Sequence, residues 1–209
     1  MEILRSIRQM MAIAILLGLS LTTGAQEDDK TVKAFEDSYA SETKGDYTSA
    51  IASLKSIYDE KSYEINVRLG WLNYKNGTFT ESIAYYSKAI ALKPYSIEAK
   101  FGLILPTSSV GQMDKVISLY DQILQIDPKN SVALYRLGLI YYGKLQYNKA
   151  KPLFESVVNL YPFDYYGLIM LAWTNYRLGN LREAKVLFSK VLLISPNDVD
   201  ARRGLQLIK

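Results

Sequence analysis

The chain is 209 residues long, 49% apolar and 22% charged, and holds neither cysteine nor histidine. That excludes disulfides, zinc sites of the Cys/His type, thiol nucleophiles and every catalytic triad built on imidazole. Lys+Arg 25 against Asp+Glu 21 gives a formal charge of +4 that no basic run concentrates, too weak a bias to point to nucleic acid.

Residues 1–25 differ from the rest. Arg5 and Arg8 precede an apolar run from Met10 to Leu21, followed by Thr22-Thr23-Gly24-Ala25 and the acidic Glu27-Asp28-Asp29. This is the pattern of a secretory signal peptide, and the small side chains of Thr23 and Ala25 place the cut between Ala25 and Gln26. The rival reading is an uncleaved membrane anchor. Only 18 residues, Gln9 to Gln26, separate Arg8 from Glu27, several of them polar, whereas a bilayer span needs roughly 20 mostly apolar residues. No cysteine follows the apolar run, which excludes a bacterial lipoprotein. The expected location is periplasmic for a Gram-negative source and extracellular otherwise, with packing alone holding the fold. Residues 26–30 are expected to form a flexible acidic linker.

From residue 31 the chain repeats itself. Pro94, Pro128, Pro162 and Pro196 are each 34 residues apart. Two residues beyond them stand Ser96, Asn130, Asp164 and Asp198, side chains that accept from the free N–H groups of a helix start, so a helix is expected after every one of these prolines. Gly77, Gly111, Leu145 and Gly179 align in a turn within each unit, and Thr80, Asp114 and Asn148 are candidate caps for a second helix, although the aligned Arg182 is not.

The apolar spacing supports helix, turn, helix. First helices carry Leu69-Gly70, Leu103-Ile104, Leu137-Gly138 and Leu171-Ala172, with Asn66, Lys100, Leu134 and Leu168 one turn earlier. Second helices carry Ser82 and Tyr86, Val116 and Tyr120, Ala150 and Phe154, Ala184 and Phe188, a compact residue followed four later by an aromatic on the same face. Pro106 falls inside a first helix, where it removes the bond to the Gly102 carbonyl and clashes with it; with Thr107-Ser108-Ser109 it predicts a kinked or shortened helix. Pro152 is expected in the first turn of a helix capped by Asn148, where N–H groups lack partners anyway.

These residues resemble the tetratricopeptide-repeat family, with its pattern W-x2-L-G-x2-Y, then A-x3-F, then P. Leu134-x2-Leu137-Gly138-x2-Tyr141, Ala150-x3-Phe154 and Pro162 make 131–164 the best match, and units 63–96, 97–130 and 165–198 follow in register. Residues 31–62 form a shortened first unit with Gly45-Asp46-Tyr47, Ala50-x3-Leu54 and Ile57 but no closing proline, and 199–209 a capping helix over the last open face. The resemblance spans 31–209. It implies an all-α, right-handed superhelical solenoid of antiparallel helix pairs, about five units plus the C-terminal cap.

With about 100° per residue, each first helix carries a second stripe beside its core face: Val67, Trp71 and Tyr74; Phe101 and Leu105; Tyr135, Leu139 and Tyr142; Tyr166, Ile169, Trp173 and Tyr176. The resemblance implies that this stripe lines the concave surface, the family's usual ligand groove. Its aromatic composition suits a binding surface; burial of the rings between adjacent repeats is the alternative. Arg177, with Lys75 and Arg203, stands at the stripe's edges, either steering an acidic partner or simply solvated. Chaperone-adaptor members of the family clamp a C-terminal carboxylate with Lys and Asn; the matching places here hold Val67, Trp71, Phe101, Leu105, Tyr135 and Leu139, so that clamp is absent.

Glu27-Asp28-Asp29 lacks the spaced ligands and glycine of a calcium loop, Asn76-Gly77-Thr78 is accounted for by the repeat's own turn, and no glycine-rich phosphate loop precedes a helix. The expectation is therefore a scaffold without cofactor, metal or chemistry of its own, exported to the cell envelope, where it engages an extended segment or a helix of another protein. A membrane-anchored scaffold and, behind it, a hydrolase with a carboxylate or Ser site are the alternatives.

Overall fold

The computed structural model describes residues 29–208; the leader 1–25 and the expected cut before Gln26 lie outside them. Every regular element among the described residues is helical: α1 (29–43), α2 (Tyr47–Lys55), α3 (Tyr63–Lys75), α4 (Phe79–Leu92), α5 (Ile97–Ser109), α6 (Met113–Ile126), α7 (Ser131–Gly143), α8 (Tyr147–Leu160), α9 (Tyr165–Arg177), α10 (Leu181–Ile194) and α11 (Val199–Leu207). Residues 29 and 30 already belong to α1, so the end of the segment expected to be a flexible linker is helical.

First helices start on side-chain caps. Ser96 Oγ accepts from the Ala99 N–H at 3.0 Å, Asn130 from Ala133 at 3.0 Å, Asp164 from Gly167 at 2.6 Å and Asp198 from Ala201 at 2.7 Å. Ser62 does the same for Ile65 at 3.2 Å, without a proline before it. Each such cap contributes about 1 kcal/mol.

Second helices after the first unit start differently. Asp46 caps α2 by accepting from the Ser49 N–H at 3.0 Å, but the N-cap residues of α4, α6, α8 and α10 are Thr78, Gln112, Gln146 and Asn180, none with a side-chain cap bond, so Thr80, Asp114 and Asn148 lie in the first turn instead of capping it. The reason is the turn before them. Gly77, Gly111, Leu145 and Gly179 take positive φ, and the next N–H returns to a carbonyl five residues back, Thr78 to Asn73, Gln112 to Thr107, Gln146 to Tyr141 and Asn180 to Asn175. The backbone itself closes the turn, and the second helix resumes two residues after the reversal.

That earlier start moves Pro152 to the sixth residue of α8, in the second turn rather than the first. Pro106 leaves α5 at 13 residues, the length of α3, α7 and α9, so the expected shortening does not occur. Proline removes one backbone bond; Leu103, Ile104 and Thr107 on either side of it are buried.

The chain divides into two compact units, one ending at Pro106 and one beginning at Thr107. In the first, α3 packs on α2 and α4, with Ala50, Leu54, Ile65, Leu69 and Leu72 at the centre. Ser82 Oγ donates to the Gly70 carbonyl at 2.7 Å, and the Tyr86 ring lies so close to Gly70 and Gly102 that a Cβ there would meet it at 2.8 and 2.2 Å. In the second unit α6 packs on α7, α7 on α8, α8 on α9, α9 on α10, and α11 on both α9 and α10. Phe154 faces Gly138 and Phe188 faces Gly204 at similarly short range.

One repeat position has two uses. Leu134 and Leu168 are buried there as core residues, whereas the aligned Asn66, Lys100 and Arg202 donate to the carbonyl six residues earlier, of Glu60, Pro94 and Pro196. Burial lowers the Lys100 pKa, yet its ammonium reaches that carbonyl.

Candidate functional site

The stripe residues of α3 are half-buried and fixed by neighbours. Trp71 lies 6.0 Å from the Tyr74 ring and donates its Nε1 hydrogen to Glu42 Oε1 at 2.6 Å. Arg68, next to Val67, pairs with the other oxygen of Glu42 at 2.5 Å, and its guanidinium carbon stands 3.8 Å from the centroid of the Tyr39 ring. Lys75 Nζ is 5.5 Å from the Trp71 ring. Burial pushes the Glu42 carboxyl up, but the bonds from Trp71 and Arg68 and the charges of Arg68 and Lys75 outweigh it and hold the pKa below the ordinary value. Beside these groups opens a cavity of about 400 Å³, walled among others by Phe35, Tyr39, Val67, Arg68, Trp71 and Tyr86. Phe101 is half-buried on α5 and Leu105 is 37% exposed.

In the second unit Tyr135, Leu139 and Tyr142 are half-buried on α7, and Tyr166 at the start of α9 is 62% exposed. Tyr135 and Tyr166 approach to 6.3 Å between centroids and line a cavity of about 370 Å³ together with Val132, Arg136, Tyr161 and Asp164. Burial raises the Tyr135 pKa. Trp173 is packed edge-on against Phe188 at 4.9 Å and Tyr176 at 5.7 Å, with the Arg203 guanidinium 6.0 Å from its ring. Arg177 is exposed, and its bond to the Tyr142 hydroxyl raises its pKa.

Ile169 departs from the expected stripe. It is only 7% exposed and belongs to the core cluster of Leu168, Ala172, Phe188 and Ala201. The physical reason is α11, which packs on α9 and α10 and brings Ala201 into that cluster, so a short branched side chain at this register is covered.

Tyr39, Glu42 and Arg68 were not anticipated as parts of the site. Arg68 is one residue away from the stripe, and Glu42 reaches it across 26 residues of sequence from a helix with no motif of its own. Among the described residues no group of three or more carboxylates is placed to hold a metal ion, and no helix is long and apolar enough to cross a membrane.

Family models described as tetratricopeptide repeat match residues 39–97, 132–164 and 165–198, together more than half of the chain. These matches leave out residues 98–131, the unit that carries Pro106. No curated protein matches. Among solved structures, a tetratricopeptide repeat protein from Parabacteroides merdae ATCC 43184 is 22% identical, with 86% of this chain and 72% of that one covered and a TM-score of 0.72. A MamA protein is 22% identical over 79% of this chain and 91% of its own, TM-score 0.68. MamA from Desulfovibrio magneticus RS-1, from residue 41 to its end, is 20% identical over 82% and 98%, TM-score 0.67. At such identities the likeness is one of fold, the all-α solenoid class of paired helices. With the repeat matched in three places and the helix pairs in register, the chain belongs to the tetratricopeptide-repeat family.

Proposed function

We propose that this protein is an exported, non-catalytic scaffold of the cell envelope that holds a segment of another protein against the aromatic stripe of its first helices. Tetratricopeptide repeats are generally scaffolds for protein–protein interaction. The observation that carries the reading here is the state of the stripe: Trp71, Tyr74, Tyr135, Tyr142, Trp173 and Tyr176 each keep part of their surface open while neighbouring groups fix the ring. Aromatic anchors ordered before binding lose little entropy when a partner arrives. Export rests on the leader, Arg5 and Arg8 followed by the apolar run and the small residues before Gln26. The compartment is the periplasm in a Gram-negative source.

The test places a photo-crosslinking amino acid at Tyr166 on the stripe or at Val186, exposed on the second helix α10, in the full chain made by its own cells. Adducts of one defined mass from position 166 and none from 186 are expected; equal or absent adducts at both positions would remove the groove. The same preparation gives the compartment. A chain beginning at Gln26 in the fluid released from the opened envelope is expected, and a mass that includes residues 1–25 in the membrane pellet would mean an anchored scaffold.

A further inference from the structure

Arg68 carries a feature that the fold leaves unexplained. Its side chain is 8% exposed; Nη1 is held by Glu42, the guanidinium face is covered by Tyr39, and the remaining Nε and Nη2 groups are buried without a hydrogen-bond partner. Buried donors are normally satisfied, and two unmet ones on a single charged side chain are strongly unfavourable. Nε and Nη2 also form one edge of the guanidinium, the edge that gives two hydrogen bonds in the same direction. Arg68 is a wall of the cavity of about 400 Å³ that the Phe35, Trp71 and Tyr86 rings also line.

The charges around that cavity decide what kind of acceptor fits. The positive charge of Arg68 is already matched by Glu42. Two more carboxylates stand on the wall, Glu64 paired with Lys93 at 3.1 Å and Glu98 accepting from the Tyr63 hydroxyl at 3.0 Å. Lys75 stacks over Trp71 and Tyr47 and adds its charge to Glu42, away from the cavity wall. An entering anion meets a guanidinium that is already paired and the Glu98 carboxylate; an uncharged oxygen meets neither obstacle.

We propose that the Arg68 cavity receives an aromatic residue of the partner segment through an uncharged carbonyl, its oxygen accepting from Nε and Nη2 while its ring lies among Phe35, Trp71 and Tyr86. Nε and Nη2 are closed to solvent in this structure, so a wall side chain must move to admit the oxygen, and Tyr39, 55% exposed and stacked on the guanidinium, is the one proposed to move. This deepens the groove reading and rests on it for the source of the ligand, but the cavity is tested without any partner.

The test titrates the full chain, labelled with ¹⁵N, with N-acetyl-phenylalanine amide and with N-acetyl-phenylalanine, which share a ring and an acetyl group and differ in a terminal carboxamide against a carboxylate. The Arg68 Nε–H resonance is expected to move downfield with the amide, and the amide to bind about tenfold more tightly than the acid. Arg68→Lys keeps a cation for Glu42 but removes the two-donor edge, and is expected to weaken amide binding about tenfold. Glu42→Gln frees the Arg68 charge and is expected to turn the preference towards the acid, a readout that stands even if Arg68→Lys does not fold. Tighter binding of the acid to the unaltered chain, an unmoved Arg68 resonance, or a preference indifferent to Glu42→Gln would each overturn the proposal. Loss of the stripe crosslinks with the amide result intact would instead discard the groove and leave the cavity.

Discussion

Trp71 donates its indole hydrogen to Glu42 at 2.6 Å, across 29 residues of sequence. The bond ties α3 to α1 and makes Trp71 a structural member of the first unit as well as a surface aromatic. A tryptophan standing free in a groove would cost within about 1 kcal/mol when truncated. Here the ring also packs against the cluster of Leu69 and Leu72. Trp71→Ala is therefore expected to cost about 3 kcal/mol in urea denaturation, and Trp71→Phe, which mainly removes the bond, about 1 kcal/mol. A loss below 1 kcal/mol for the alanine variant would show that the indole contributes only surface.

Glu42 gives the fold an acid limit. Its pKa in the folded state lies below the ordinary 4.5, so it binds protons less readily folded than unfolded. The stability it contributes is complete above about pH 4.5 and disappears as pH falls through the folded value. Asp46 and Glu64 are shifted in the same direction by their own hydrogen bonds. Thermal melts from pH 7 to 3 should fall steeply below pH 4.5 in the parent chain and less steeply in Glu42→Gln, the two curves converging in acid. Parallel curves would exclude Glu42 as a contributor.

Leu145 occupies the turn position at φ 60° that glycine fills at residues 45, 77, 111 and 179, and its side chain is 71% exposed. It carries left-handed strain with little burial in return. Leu145→Gly should raise stability by about 0.5–1 kcal/mol after the greater freedom of unfolded glycine is deducted. An unchanged or lower melting temperature would mean that the leucine side chain holds the turn by contact.

Pro106→Ala should also stabilise. It restores a hydrogen-bond donor toward the Gly102 carbonyl within an uninterrupted α5, and about 1 kcal/mol should remain after the lost burial of the ring. Chemical denaturation decides the sign, and a loss would mean that ring contacts outweigh the backbone bond.

The parts of the fold that depend on neighbours in sequence were legible. Ser96, Asn130, Asp164 and Asp198 cap the helices that their spacing after proline foretells, and Leu69, Leu137, Ala150 and Phe188 are buried as their periodicity requires. Thr80, Asp114 and Asn148 misled because the turn's register sets the cap of each second helix two residues before them, and a cap-forming residue looks the same in the first turn as at the cap. Ile169 misled because register assigns a face but does not say that α11 covers it. Glu42, Tyr39 and Arg68 were illegible, since their meeting depends on the packing of α1 against α3 and no local pattern records it.

Tyr86 touches Gly70 on α3 and Gly102 on α5, and Phe188 touches Gly204, which stands at the same repeat position as Gly102. Each of these rings is thus fitted to a glycine that lies beyond the next proline. A 34-residue block excised from proline to proline, Pro94 to Pro128, would part Tyr86 from Gly102 and set the ring against whatever side chain arrives in its place. A block taken from turn to turn, Gly77 to Gly111, keeps Tyr86 with Gly102 but parts it from Gly70. For lengthening, shortening or grafting this array, neither cut carries a whole socket: Tyr86 is shared between a glycine before it on α3 and one after it on α5, so the incoming repeat must bring a small residue to whichever side the cut renews.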